Sequence, residues 1–298
     1  GAGVVERVGN AVRGFRRGDH VVLSYQSCGH CEACGRQRPA DCESLADLNF
    51  GFHRPDGTNA LRRSGVRGHF FGQSSFASHV LATERNLVKV PSDLPLEILA
   101  PLGCGMQTGA GTVMNSLKVP AGASIAVFGT GAVGLAAVMA ARIAGARPII
   151  GVDKVPARLK LALELGATDV IDTRRDGVTD RIRAITGSGV DYVVESSGSQ
   201  RLYRLAVVLL NPGGTAAYLA GVEGPDPLPG GRRALSVIQG DAVPQVFIPR
   251  LIDLHRKGLF PFERLQRHYE FRQINRAIAD ARSGRTVKPV LLFTGGEG

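Results

Sequence analysis

The sequence predicts an α/β protein in which a doubly wound parallel sheet is joined to a second, β-rich lobe stapled by cysteines. Three observations carry this. From about residue 106 onward, short apolar runs alternate with helix-period segments. Residues 1–100 instead hold short apolar or alternating runs broken by Gly, Pro and polar turns. Four of the five cysteines fall between positions 28 and 42.

A chain of 298 residues is long for one hydrophobic core, so two domains are expected. Hydrophobic content of 44% with 21% charged residues is that of an ordinary globular protein. No apolar run approaches the roughly 18–20 residues that cross a bilayer, which argues against a membrane partner. The chain opens on Gly1, inside what reads as a strand, "GAGVVERVG", and its N-terminal part is expected to be missing. The formal charge of +10 raises the question of nucleic acid. Its basic residues, however, are scattered over amphipathic segments such as "RLKLALELG", and the dense patch "LRRSGVRGH" at 61–69 is short. A solvated arginine-rich surface is the expectation, with no nucleic-acid partner. Five cysteines, an odd number with four of them clustered, and no visible secretory signal point to metal and the cytoplasm rather than to disulfides.

The elements follow in order. "HVVLSY", "SFASHVLA" and "NLVKVP" read as strands, separated by a stretch at roughly 28–68 that is poor in apolar residues and needs a staple. "SIAVFG", "PIIGVD", "DVIDT", "VDYVVESSG" and "TAAYLAGV" read as parallel strands, with helices such as "AVGLAAVMAARIAGA" and "PARLKLALELGA" between them. A Pro/Gly loop at 223–231 precedes the amphipathic helix in "VPQVFIPRLIDLHRKG", a short helix and the terminal strand "VKPVLLF".

Gly129-Thr130-Gly131-Ala132-Val133-Gly134 follows "SIAVF" and opens a helix. In such a turn the first glycine allows the tight bend, the second lets backbone approach a pyrophosphate, and the third lets helix pack on strand. The helix N-terminus offers N–H groups and a positive dipole end to phosphate. Asp153 ends the second strand, 19 residues past Gly134, where a carboxylate binds ribose hydroxyls and repels a 2′-phosphate. The pattern favours NAD over NADP, a preference that Lys154 and Arg158 soften. The bland alternative is a tight turn that binds nothing.

Cys28, Cys31, Cys34 and Cys42 form C-x2-C-x2-C-x7-C. Four converging thiolates suit a closed structural zinc, which does no chemistry of its own. An iron–sulfur run would place its fourth cysteine three residues on and follow it with Pro, and a redox pair would leave two cysteines idle. Cys104, between glycines, reads by itself as a small buried hydrophobe.

Taken together, the cysteine lobe, "GCGMQTGAG", the "GTGAVG" loop with Asp153 and the C-terminal strand resemble the zinc-dependent medium-chain alcohol dehydrogenases over the whole chain. "HFFGQSSFA" and "GDAVPQVFIPRLIDLHRKGLFPFERL" look most like the aryl-alcohol (benzyl-alcohol) members. The resemblance implies a GroES-like catalytic domain at 1–105, a Rossmann dinucleotide domain at 106–238 and a return to the catalytic domain at 239–298. It implies that Cys104 is one ligand of a catalytic zinc whose other ligands, from a Cys-x-Ser/Thr and a Gly-His-Glu segment, lie upstream of Gly1. The full-length parent would then carry both zincs, and the chain as it stands would not turn over. Thr108 and Val133 would pack on nicotinamide, Lys288 would reach the pyrophosphate, and Phe70 and Phe71 would line the pocket for a small alcohol or aldehyde. Val133 could equally be helix packing, Lys288 a surface cation and the two Phe core. A homo-oligomer, dimer or tetramer, is implied as well. Two alternatives stand beside an NAD-dependent alcohol dehydrogenase: a dehydrogenase for an S-(hydroxymethyl)glutathione-type adduct of formaldehyde, and a non-catalytic NAD- and zinc-binding protein.

Overall fold

A computed structural model gives the fold for residues 1–59, 61, 65–219 and 228–293. They fall into two units, Gly1–Cys104 with Ala242–Asp253 and Glu263–Gly298, and Gly105–Asp241 with Leu254–Phe262.

In the first unit, β1 (Ala2–Val4), β2 (His20–Leu23) and β3 (Leu87–Lys89) form an antiparallel sheet with β2 in the centre. Val21, Val22 and Leu23 of β2 and Val88 of β3 are buried. Between β2 and β3 the described residues hold the short helices α1 (Glu32–Gly35) and α2 (Leu45–Phe50), around the cysteines. Helix α3 (Leu96–Leu99) follows β3. The stretch "SFASHVLA" forms no strand: Phe76 is 70% and Leu81 72% exposed. Alternation alone does not make a strand; it needs a neighbour to complete the ladder and a face to bury.

The second unit begins with α4 (Gly105–Gly111) and then alternates β4 (Ile125–Phe128), α5 (Ala132–Ala144), β5 (Ile149–Asp153), α6 (Pro156–Leu165), β6 (Asp169–Asp172), α7 (Val178–Thr186), β7 (Val190–Glu195), α8 (Gln200–Val208), β8 (Leu210–Tyr218) and β9 (Arg233–Ser236). The sheet order is β6-β5-β4-β7-β8-β9, parallel throughout. Every residue of β4 and β5 is buried, which is why β4, and β5 up to its terminal Asp153, are apolar runs rather than alternating ones. Burying side chains the size of Phe128 or Ile150 stabilises the fold by roughly 1.5–3 kcal/mol each. Chain order reverses between β4 and β7, and the loops after those two strands flank the switch point where such sheets bind ligands. Strand β9 was not foreseen: only one of its four residues is even partly buried, so it has no apolar run. Residues 223–227 of the expected Pro/Gly loop and residues 62–64 of the basic patch lie outside the described residues.

After α9 (Pro244–Arg256) the chain forms β10 (Gln266–Glu270), α10 (Ile274–Ser283) and β11 (Lys288–Leu292), with β10 and β11 paired in parallel. Strand β10 was not foreseen; of its residues only Tyr269 is buried, so it has no apolar run to betray it.

Candidate functional site

The four lobe cysteines converge. Their sulfurs all lie within 4.8 Å of one another, and those of Cys28 and Cys34 are 3.9 Å apart. Zinc–sulfur bonds of about 2.3 Å in a tetrahedron place sulfurs about 3.8 Å apart, so the arrangement fits the ion. The lobe is built around that spacing: Cys31 caps α1, Cys34 lies within it, and the turn Pro39–Asp41 delivers Cys42. Backbone N–H groups aim at the sulfurs, Cys28 N at Cys42 Sγ (3.2 Å), Gly29 N at Cys34 Sγ (3.4 Å) and Cys31 N at Cys28 Sγ (3.4 Å). Such donors, led by the His30 amide, hold the Cys28 thiol down to about 6, whereas burial pushes Cys42 up to about 12. Tyr25, Ala40, Cys42 and Leu45 form a small core under the lobe, with Phe71 packed on it. His30 is exposed.

Each glycine of the turn after β4 has its own physical reason. Gly129 has φ +85°, and a methyl group there would sit 2.8 Å from Ser197 Cα. A methyl at Gly134 would overlap the Gly129 carbonyl oxygen, so this glycine sets how closely α5 approaches the strand. Gly131 alone faces open space, with nothing within 4 Å of an added Cβ. It is also the N-cap of the 13-residue α5 and provides no side-chain cap, which leaves the first-turn N–H groups to a ligand or solvent. The open cradle and the bare helix end fit a dinucleotide pyrophosphate. Asp153 is buried at the end of β5; its Oδ2 accepts from Thr130 N (2.7 Å), and its Oδ1 from Lys154 N (2.7 Å) and Val155 N (2.9 Å). The carboxylate is thus tied to the turn. Arg158 lies in the first turn of α6, and its buried Nε has no protein hydrogen-bond partner.

Thr108 and Val133 are on adjoining helices of the second unit. Gly109 of α4 packs directly on α5, where a methyl would overlap the Val133 carbonyl, and one at Gly105 would lie 3.5 Å from Val133 Cγ2. Thr108 offers its carbonyl to Thr112 Oγ1 (2.7 Å). Cys104 is exposed, although Leu102, Gly103, Gly105 and Met106 around it are buried, so it is not the small buried hydrophobe that composition alone suggests. Gly103 holds it in place: a methyl there would overlap the Leu23 carbonyl, and its own carbonyl accepts from Ser24 Oγ (2.8 Å). Lys288 lies at the start of β11. Among the described residues the lobe cysteines are the one group of three or more metal-type ligands, and Cys104 is not in it. The described residues therefore do not by themselves assemble a second zinc site around Cys104.

Phe70 and Phe71 lie 6.3 Å apart between ring centroids, and Phe70 also meets Phe50 (5.8 Å) and Phe52 (6.0 Å). Phe70 is 52% exposed. Phe50 and Phe52, in "NFGFH", were missed as candidates; only the doubled Phe pattern could have flagged them.

Comparison with known proteins agrees with this picture. Residues 1–92 match the alcohol dehydrogenase GroES-like domain and residues 132–241 the zinc-binding dehydrogenase domain. Geraniol dehydrogenase of Castellaniella defragrans is 45% identical over 98% of this chain and 82% of its own length. Among solved structures, an alcohol dehydrogenase zinc-binding domain protein from Burkholderia ambifaria has a TM-score of 0.93 at 50% identity, covering 99% of this chain and 82% of that one. Benzyl alcohol dehydrogenase from Acinetobacter calcoaceticus has a TM-score of 0.93 at 42% identity, covering 98% and 82%.

Proposed function

The chain belongs to the zinc-binding alcohol dehydrogenases, and on that premise we propose that it transfers hydride between an uncharged aromatic or similarly apolar primary alcohol and NAD. The observation that carries the cofactor half is the glycine turn, open only at Gly131 and tied to the Asp153 carboxylate. Gly129, Gly131 and Gly134 would seat the pyrophosphate, and Asp153 would bind the ribose and repel a 2′-phosphate. Arg158 and Lys288 would add positive charge for the phosphates, and Thr108 and Val133 would flank the nicotinamide. These residues bind and orient the cofactor; the hydride chemistry belongs to the nicotinamide.

The alcohol half rests on the aromatic side chains of Phe70 and Phe71 and on two relatives whose names denote apolar primary alcohols. The lobe cysteines would hold a structural zinc. Cys104 would be one ligand of a catalytic zinc, which when bound lowers the pKa of an alcohol; its companion ligands are not among the described residues. The chain spans 82% of these relatives' length. The reading also places the protein in the cytoplasm, where clustered cysteines bind metal rather than form disulfides, and in a homo-oligomer.

Steady-state NAD reduction by the protein tests the proposal. Benzyl alcohol should exceed S-(hydroxymethyl)glutathione in kcat/KM by at least about tenfold, a difference of about 1.4 kcal/mol in the transition state. A preference for the thiol adduct would refute the apolar-alcohol reading, and binding without turnover on any alcohol would refute the enzyme.

A further inference from the structure

We propose that Ser196 is a positioning residue that presets the dinucleotide turn by locking the Gly129–Thr130 peptide. Ser196 follows β7, the neighbour of β4 across the switch point, and its backbone N–H donates to Phe128 O at 2.9 Å. Its hydroxyl shares its single proton between Gly129 O (2.9 Å) and Phe128 O (3.0 Å). The other end of the same peptide, Thr130 N, donates to Asp153 Oδ2 at 2.7 Å. A peptide group is planar, so fixing its oxygen and its N–H fixes its rotation. Gly129, with its positive φ, would otherwise be the loosest link in the turn.

The support under Ser196 is itself rigid. Glu195 is buried and accepts from both the N–H (2.9 Å) and the hydroxyl of Ser197, whose oxygen in turn accepts from Ser199 N (3.0 Å). Ser199 caps α8 through Leu202 N. The brace therefore runs from a helix N-terminus to the carbonyl beneath the cradle. Ordering a glycine-rich turn costs conformational entropy, which a bound dinucleotide must otherwise offset. With the Ser196 hydroxyl in place, that ordering is completed when the protein folds. Removing it shifts the cost onto binding.

The inference rests on the dinucleotide reading, and the test separates the two. NADH affinity would be measured by calorimetry on the 298-residue chain and on Ser196→Ala and Ser197→Ala, with amide exchange of Thr130 followed by NMR in cofactor-free protein. The expected result is that Ser196→Ala weakens NADH about three- to tenfold, the loss of one hydrogen bond. Thr130 exchange should speed up in the same variant, and Ser197→Ala, which leaves the Ser196 hydroxyl intact, should do less of both. Equal NADH affinity in Ser196→Ala and wild type would overturn the inference while leaving the dinucleotide reading intact. So would a Thr130 amide that exchanges freely in wild-type protein until NADH is added, a result that needs no variant to fold. A wild-type chain that binds no NADH would sink the dinucleotide reading itself.

Discussion

Gly131 and Gly134 lie three residues apart in one turn, yet a single methyl group asks opposite questions of them. At Gly134 it would overlap the Gly129 carbonyl, so Gly134→Ala must push α5 off the sheet. Overpacking of this kind costs about 1–3 kcal/mol, and a lower melting temperature with loss of NADH binding is expected. At Gly131 the methyl meets no protein atom. Gly131→Ala should therefore melt with the wild type and still lose NADH affinity, at least about tenfold, because the added carbon occupies the cradle. Wild-type affinity in Gly131→Ala would place the pyrophosphate elsewhere. Asp153→Asn removes the charge that ties the turn and opposes a 2′-phosphate, so the ratio of NAD to NADP affinity should fall about tenfold or more. The turn and its acidic partner were legible because their spacing encodes a mechanism. Ser196 was not, because one hydroxyl on a loop makes no pattern until the strand order sets β7 beside β4.

At the scale of elements, the cysteine lobe depends on a metal more than on a core. Among the described residues its buried apolar cluster is Tyr25, Ala40, Cys42 and Leu45. Cys42→Ser should abolish tight zinc binding, about one ion per chain by metal analysis, and expose the segment near residues 28–50 to proteolysis. Gly29→Ala should do the same more mildly, since Gly29 has φ +83° and the Arg85 guanidinium rests where its methyl would go. Retention of zinc by Cys42→Ser would remove the four-thiolate assignment. In the β10–α10–β11 element, the buried Asp280 carboxylate accepts from Arg285 Nε (2.8 Å) and Tyr269 Oη (2.9 Å). Those two donors, Arg285 first, hold its carboxyl below the usual range. A carboxyl with a depressed folded-state pKa stabilises the fold above its unfolded value of about 4 and loses that contribution as pH falls through the folded value. Asp280→Asn should lower stability at neutral pH and flatten the acid limb of a denaturation profile; an unchanged acid limb would show the carboxylate to be idle. Here legibility fails in both directions. Strand β10 buries only Tyr269 and so has no signal, whereas "SFASHVLA" has the alternation of a strand and forms none.

For the whole molecule, the α/β architecture was readable because parallel strands covered on both faces are near-continuous apolar runs, as β4 is and as β5 is up to Asp153. The cysteine spacing was readable because zinc imposes it. What connects distant stretches was not readable: Phe50 and Phe52 meet Phe70 at a separation of about twenty residues, and Gly103 meets Leu23 at a separation of eighty. The chemistry of the whole rests on one claim, that a dinucleotide on the glycine turn exchanges hydride with an apolar alcohol. Benzyl alcohol carrying deuterium on its carbinol carbon, oxidised by the protein, tests it most directly. The account predicts that deuterium appears at C4 of the nicotinamide in the NADH formed. NADH formed without deuterium, or bound NAD that stays oxidised in the presence of the alcohol, would contradict it.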